Sequence, residues 1–202
     1  MRALIIVMWL LHWLPLPILG RIGKALGSLL YILMKSRRHV TLTNLRLCFP
    51  GKSETEREVI AKQHFQAYAR SALERGILWW ASEARLKRLI QVEPGIPFEV
   101  LESGPTILLC PHFVCLEIPG IALVLNSHFS VCTIYSRQKN QLIDEALLKG
   151  RSRFRPVTLL SRDKGVKPII RAMREGLPFI MLPDMDFALP DREFVPFLLF
   201  RS

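Results

Sequence analysis

Residues 1–53 contain no aspartate or glutamate, although they carry eight lysines and arginines. Acidic residues are scarce throughout: 17 stand against 28 Lys and Arg, for a net charge of +11. Cysteine is equally sparse, with four residues, Cys48, Cys110, Cys115 and Cys132. Their irregular spacing excludes a disulfide framework and fits a reducing compartment. Cys110 and Cys115 flank His112, but no second ligand pair follows, so the pattern does not make a zinc site. Charged residues reach only 22% and hydrophobic residues 50%, which excludes a disordered, fibrous or low-complexity chain. Internal repeats and long linkers are also missing. With 202 residues there is room for one domain with a sizeable core, but not for two ordinary ones. Any site therefore sits on one scaffold.

The positive charge is unevenly placed. Residues 54–136 sum to −2, residues 137–175 to +7 and residues 176–202 to −2, so two basic blocks need separate explanations. The first interleaves with apolar sequence. Ala3 to Leu19 is uncharged, and Ile22 to Met34 is interrupted only by Lys24, while Arg2, Arg21, Lys35, Arg37 and Arg38 cluster at the ends. This reads as a membrane anchor near the short limit for spanning, made an imperfect helix by His12, Pro15 and Pro17. Trp9 and Trp13 suit an interfacial position. Cations after an apolar segment mark the cytoplasmic side and attract anionic headgroups of membrane phospholipids. Residues 1–38 are accordingly expected to form the anchor and its basic juxtamembrane segment, and residues 39–202 a separate domain. A cleaved secretory signal is the competing reading, although no small-x-small cleavage site follows cleanly.

Beyond Phe49-Pro50-Gly51, Ser53-Glu54-Thr55-Glu56 has the form of a capping box, predicting a helix start there. Val59, Ile60, Phe65, Ala69, Ala72 and Leu73 continue it at roughly helical spacing, and a further helix is expected from Glu83 to Ile90. Trp79 and Trp80 fit either core burial or lipid contact. Thr106 to Cys110 reads as a buried strand, Phe129 to Tyr135 and Pro178 to Leu182 as two more, and Val157 to Leu160 as a weaker one. Helical stretches near Ile118–Leu125, Gln141–Leu148 and Val166–Arg174 lie between them. Strands alternating with helices of about ten residues argue for an α/β fold with a mostly parallel sheet flanked by helices.

The most informative residues are Pro111-His112-Phe113-Val114-Cys115-Leu116-Glu117, directly after the first strand. Reactive groups in α/β folds gather at the carboxyl ends of strands. Positions five apart in one helix diverge, so a partnership requires His112 on the loop and Glu117 in the next helix. In such a pair the carboxylate fixes the imidazole tautomer while the other ring nitrogen takes a proton from a substrate hydroxyl. The hydroxyl then attacks an acyl carbonyl without any protein nucleophile. A surface or structural role for both residues is the alternative, since the spacing alone recurs by chance. His64 reads as structural or exposed, and His12, His39 and His128 have no acidic neighbour in sequence.

Five elements, the His112 motif among them, occur in order. They are Asn44-Leu45-Arg46-Leu47-Cys48-Phe49-Pro50, Cys110-Pro111-His112-Phe113 with Glu117, Tyr135-Ser136-Arg137-Gln138-Lys139-Asn140, Gly150-Arg151-Ser152-Arg153-Phe154, and Leu182-Pro183-Asp184-Met185-Asp186-Phe187 with Phe194-Val195-Pro196-Phe197. This series resembles the lipid A biosynthesis lauroyl/myristoyl acyltransferases of Gram-negative bacteria, a branch of the lysophospholipid acyltransferase superfamily. The resemblance covers nearly the whole chain. It implies an enzyme at the cytoplasmic face of the inner membrane, moving a fatty acyl chain from acyl carrier protein to a hydroxyl of a phosphorylated lipid A precursor. It maps a catalytic dyad onto His112 and Glu117, and substrate-binding roles onto Arg137, Lys139, Asn140, Arg151 and Asp184, with no cofactor and no metal. Arg137 departs from the family's Tyr-Arg pairing because Ser136 intervenes. Members of the family continue well beyond the point matching Phe197, so the glycerolipid acyltransferase-like fold is expected to be incomplete at the C-terminus. A non-catalytic membrane-bound remnant and a glycerophospholipid acyltransferase are the competing functions.

Residues 137–175 hold eleven Lys and Arg against four acidic residues. A solvated helix face explains many such runs. The functional reading places Arg137, Lys139, Arg151, Arg153 and Arg155 against phosphates of the lipid or carrier, or against the acidic carrier surface. Nucleic acid is not implied, since no recognised binding motif or interleaved aromatics accompany the charge.

Overall fold

A computed structural model describes residues 2–93, 95, 97–102, 104–161 and 164–184. The Met185-Asp186-Phe187 portion and the Phe194-Val195-Pro196-Phe197 element lie outside the described residues. The helices are α1 (Arg2–Leu11), α2 (Leu16–Leu33), α3 (Lys35–Cys48), α4 (Glu54–Trp80), α5 (Glu83–Leu89), α6 (Glu117–Asn126), α7 (Gln141–Arg151) and α8 (Lys167–Arg174). The strands are β1 (Ile107–Leu109), β2 (Val131–Tyr135), β3 (Val157–Ser161) and β4 (Phe179–Met181). Contacts gather the described residues into two units: residues 2–13 with 75–184, and residues 14–74. The boundary read from charge at residue 38 falls within α3.

The uncharged run Ala3–Leu19 does not form one helix, since α1 ends at Leu11 and α2, in the unit of residues 14–74, begins at Leu16. Pro15 stands at the N-cap of α2 and Pro17 in its first turn, where a missing N–H is harmless. The run instead splits into α1, a shorter apolar helix, and α2, the longer one, with Leu19, Gly23 and Gly27 buried in α2. Among the described residues it is the one helix long and apolar enough to cross a membrane. A Cβ on Gly27 would sit 2.3 Å from Gln66 Cα, so this close helix contact requires glycine. The capping box at the start of α4 forms as expected. Ser53 N–H donates to Glu56 Oε2 at 2.8 Å, and Glu56 N–H donates to Ser53 Oγ at 3.3 Å. Arg46 donates to both Glu54 oxygens, and Arg57 donates to the carbonyls of Phe49 and Pro50. The Asn44–Pro50 motif therefore secures the turn between α3 and α4. The Arg46 hydrogen bond is the main reason the Glu54 carboxyl lies below its usual range.

In the other unit, the four strands among the described residues pair in parallel as one sheet in the order β1-β4-β2-β3. Leu109 is in register with Met181, Cys132 with Phe179, and Cys132 with Thr158. Cys132 and Phe179 share one face of the sheet, where Ile169 and Ala172 of α8 pack on them together with Leu160, Met173 and Leu177. This is the α/β arrangement expected from alternating strands and helices. The sheet differs from expectation at its first strand. Ile107 is 51% exposed and Leu109 is 68% exposed, so β1 is not buried over its described length. Among the described residues β1 has a neighbour on one side only, and a strand at an edge lacks the flanking side chains that cover a central one.

Candidate active site

Parallel pairing of β1 with β4 places their carboxyl ends side by side. Cys110 N–H extends the pairing by donating to the Met181 carbonyl at 2.8 Å. The chain then leaves β1 through Pro111 and a tight turn, in which Phe113 N–H donates to the Pro111 carbonyl at 2.7 Å. His112 lies in that turn, and Asp184 lies three residues after the end of β4. The two meet across 72 positions of sequence. His112 Nδ1 is 2.7 Å from Asp184 Oδ1, and His112 N–H donates to Asp184 Oδ2 at 2.7 Å. One carboxylate thus holds both the ring and the backbone that carries it. Nδ1 facing a carboxylate carries the proton in the neutral imidazole, which makes Nε2 the lone-pair nitrogen. The side chains are 33% and 39% exposed, so the pair is accessible.

Burial pushes the Asp184 carboxyl up, but the side-chain and backbone hydrogen bonds from His112 outweigh it and hold the group below its usual range. Burial, with the Asp184 carboxylate adding to it, raises the Cys110 thiol. A thiol raised in this way is a poor nucleophile at neutral pH.

The structure departs from the expected hydrogen bond between His112 and Glu117. The loop-then-helix placement holds, since Glu117 is the first residue of α6. Its carboxylate, however, accepts from Arg151 at the end of α7: Nε to Oε2 at 3.1 Å and Nη2 to Oε1 at 2.6 Å. This two-point ion pair is largely removed from solvent, with 13% of the Glu117 side chain and 24% of that of Arg151 exposed. Among the described residues, the imidazole's carboxylate partner is Asp184. Insertion of β4 beside β1 supplies it.

Of the remaining candidates, Asn140 is the N-cap of α7, its side chain accepting from Ile143 N–H at 3.3 Å. Arg137 and Lys139 are exposed on the loop between β2 and α7. That loop is tied down by buried Asp144, whose Oδ1 accepts from Gln138 N–H at 2.8 Å. Arg153 faces inward: it donates to the carbonyls of Leu78 and Ala81 at 2.8 and 2.7 Å, and burial lowers its pKa. It closes the end of α4 and is not placed to meet phosphate. Sequence spacing gave no hint of the Asp144 tether or the Arg153 clamp. Both join residues to backbone groups far apart or across a loop. Trp79 is buried, as the core reading allowed. No group of three or more His, Cys, Asp and Glu gathers as a metal site among the described residues.

Gly150 fixes how closely α7, and with it Arg151, approaches Trp79. A Cβ there would lie 2.2 Å from Trp79 Cδ1. Gly150→Ala is therefore expected to destabilise the protein by about 1–3 kcal/mol through overpacking, despite alanine's better helix propensity. Chemical denaturation of both proteins checks this, and an unchanged or raised midpoint would contradict the close packing.

A family model described as bacterial lipid A biosynthesis acyltransferase matches residues 2–200. A lipid A biosynthesis acyltransferase of Haemophilus influenzae is 31% identical over 91% of this chain and 58% of its own length. The lipid A biosynthesis lauroyltransferase of Escherichia coli is 31% identical over 94% of this chain and 61% of its own. The lipid A biosynthesis myristoyltransferase of the same organism is 32% identical over 90% and 55%. The chain thus spans well under two thirds of the length of these relatives.

Proposed function

From the premise that the chain belongs to the bacterial lipid A biosynthesis acyltransferase family, we propose that it transfers a fatty acyl group to a hydroxyl of a lipid A precursor. The donor in this reading is acyl carrier protein. The observation that carries the proposal is His112 at the carboxyl end of β1, with Nδ1 held by Asp184.

Nε2 takes the proton of the acceptor hydroxyl as its oxygen bonds to the thioester carbonyl carbon. The tetrahedral intermediate collapses, the C–S bond breaks, and the imidazolium returns the proton to the departing thiolate. Asp184 keeps the imidazole in one tautomer and balances the charge it acquires. Glu117 serves the site by holding Arg151, whose guanidinium is suited to phosphate or to the oxyanion. Arg137 and Lys139, on their exposed loop, supply further charge for the anionic lipid or carrier. The exposed apolar side chains of Leu109, Phe113, Ile134 and Met181 are suited to an acyl chain. Work at the cytoplasmic face of the inner membrane follows from a carrier-bound donor and a lipid acceptor.

The test incubates membranes containing the 202-residue chain with acyl-loaded carrier protein and either a phosphorylated lipid A precursor or lysophosphatidic acid. Mass gain of the lipid A precursor alone is expected. Acylation of lysophosphatidic acid instead would transfer the assignment to glycerophospholipid synthesis, and no transfer to either would reject catalysis by this chain.

A further inference from the structure

We propose that a hollow between α2 and α4 binds the phosphate of an anionic phospholipid headgroup while α2 lies in the plane of the membrane surface. The hollow is a shallow depression open to solvent, of about 340 Å³, lined by Leu16, Pro17, Gly20, Arg21, Lys24 and Arg70. Its three cations come from two helices. Arg21 and Lys24 lie on consecutive turns of α2, and Arg70 comes from α4, its Nε 3.8 Å from where a Gly20 Cβ would be. Arg70 Nε also donates to Glu74 Oε1 at 2.5 Å, with half of the Arg70 side chain remaining in solvent. Glycine at position 20 leaves the floor of the hollow open.

Helical spacing separates α2 into three faces. Leu19, Gly23 and Gly27 are buried, the two glycines meeting the α4 backbone at Arg70 and Gln66. Ile18, Ile22, Leu26, Leu29 and Leu33 form an exposed apolar stripe. Arg21, Lys24 and Ser28 occupy the third face, where Gln66 Nε2 donates to Ser28 Oγ at 2.8 Å. An apolar stripe flanked by a cationic face is the pattern of a helix at the interface. Length and hydropathy would also allow α2 to cross a bilayer. Two features argue against crossing. Lys24 stands at the middle of α2, where a spanning helix would carry it to the centre of the hydrocarbon. The packed face of α2 also rests on the charged helix α4, which cannot follow it into lipid. In the plane of the surface, the stripe enters the acyl region and Arg21 and Lys24 lie at headgroup depth. A phosphate in the hollow then meets Arg21 and Lys24, with Arg70 beside them still paired to Glu74, which offsets part of its charge. This inference does not depend on the acyl-transfer reading.

Vesicles of phosphatidylcholine, with and without phosphatidylglycerol, test it by co-sedimentation of the purified chain. Arg21→Gln with Lys24→Gln is compared with Lys35→Gln and Arg37→Gln on α3, which remove the same charge; all four side chains are exposed. Diffuse attraction to the anionic surface alone would cost each pair about 30-fold, at roughly fivefold per cation. The pocket pair is expected to lose at least about tenfold more, as direct phosphate hydrogen bonds disappear. The wild-type preference for phosphatidylglycerol should also persist in 1 M salt, where the Debye length is about 3 Å. Equal losses in the two pairs, or a preference abolished by that salt, would overturn the site. A nitroxide amino acid at Ile18, Leu26 or Leu29 should report one shallow depth. A markedly deeper Leu26 would overturn the in-plane orientation.

Discussion

His112→Ala is expected to reduce acyl transfer by about 10²–10⁴-fold, the range a positioned general base contributes. The loss should fall on kcat with little change in KM, because the imidazole is needed for proton transfer and not for holding either substrate. Half of the contact with Asp184 survives the substitution, since His112 N–H and not its ring donates to Oδ2. The turn after β1 therefore remains anchored, and circular dichroism and thermal melting should stay close to wild type. Single-turnover transfer from acyl-loaded carrier protein provides the measurement. A variant that folds normally and turns over within threefold of wild type would remove His112 from the chemistry.

Asp184→Asn should also slow transfer sharply, by about 10²–10⁴-fold, while leaving the shape of the site intact. An amide in place of the carboxylate is nearly isosteric, but it no longer balances the imidazolium formed during proton transfer. It can also present an N–H to Nδ1, which selects the unproductive tautomer. Asp184→Glu, which restores charge at the cost of reach, should recover part of the rate. Full activity in Asp184→Asn would show the contact to be structural only. A second readout follows from linkage. The folded carboxyl is held below its unfolded value, so its stabilising contribution is complete above about pH 4 and is lost as pH falls through the folded value. Wild-type protein should therefore lose stability more steeply on acidification than Asp184→Asn, measured as denaturant midpoints at successive pH values. Parallel pH curves would contradict the assigned contact.

Strand and helix positions are largely legible in the sequence because they depend on local pattern. Ser53 and Glu56 lie three apart and can cap a helix whatever surrounds them, and they do. The expected strands and the helices between them likewise appear within a few residues of their predicted limits, since side-chain periodicity is local. The exposure of β1 departs from the sequence expectation for the complementary reason. An apolar run announces a strand, but whether neighbours cover it depends on its place in the sheet. Pro15 and Pro17 mark the interruption of the uncharged N-terminal run in the sequence, yet only the tertiary structure shows that Gly23 and Gly27 form the face of α2 that packs on α4.

The candidate site divides along the same line. Sequence by itself determined that His112 stands on a loop just past a strand, with a carboxylate opening the following helix, because those placements need only a strand, a proline and a helix start. It also determined the family, through the order of its short motifs, and the concentration of positive charge before residue 54. The tertiary structure alone decided which acid faces which base. Strand order in a parallel sheet depends on long-range packing, and no local periodicity encodes that β4 pairs beside β1. That one insertion brings Asp184 to His112 and leaves Glu117 to Arg151, two pairings that span 72 and 34 positions of chain.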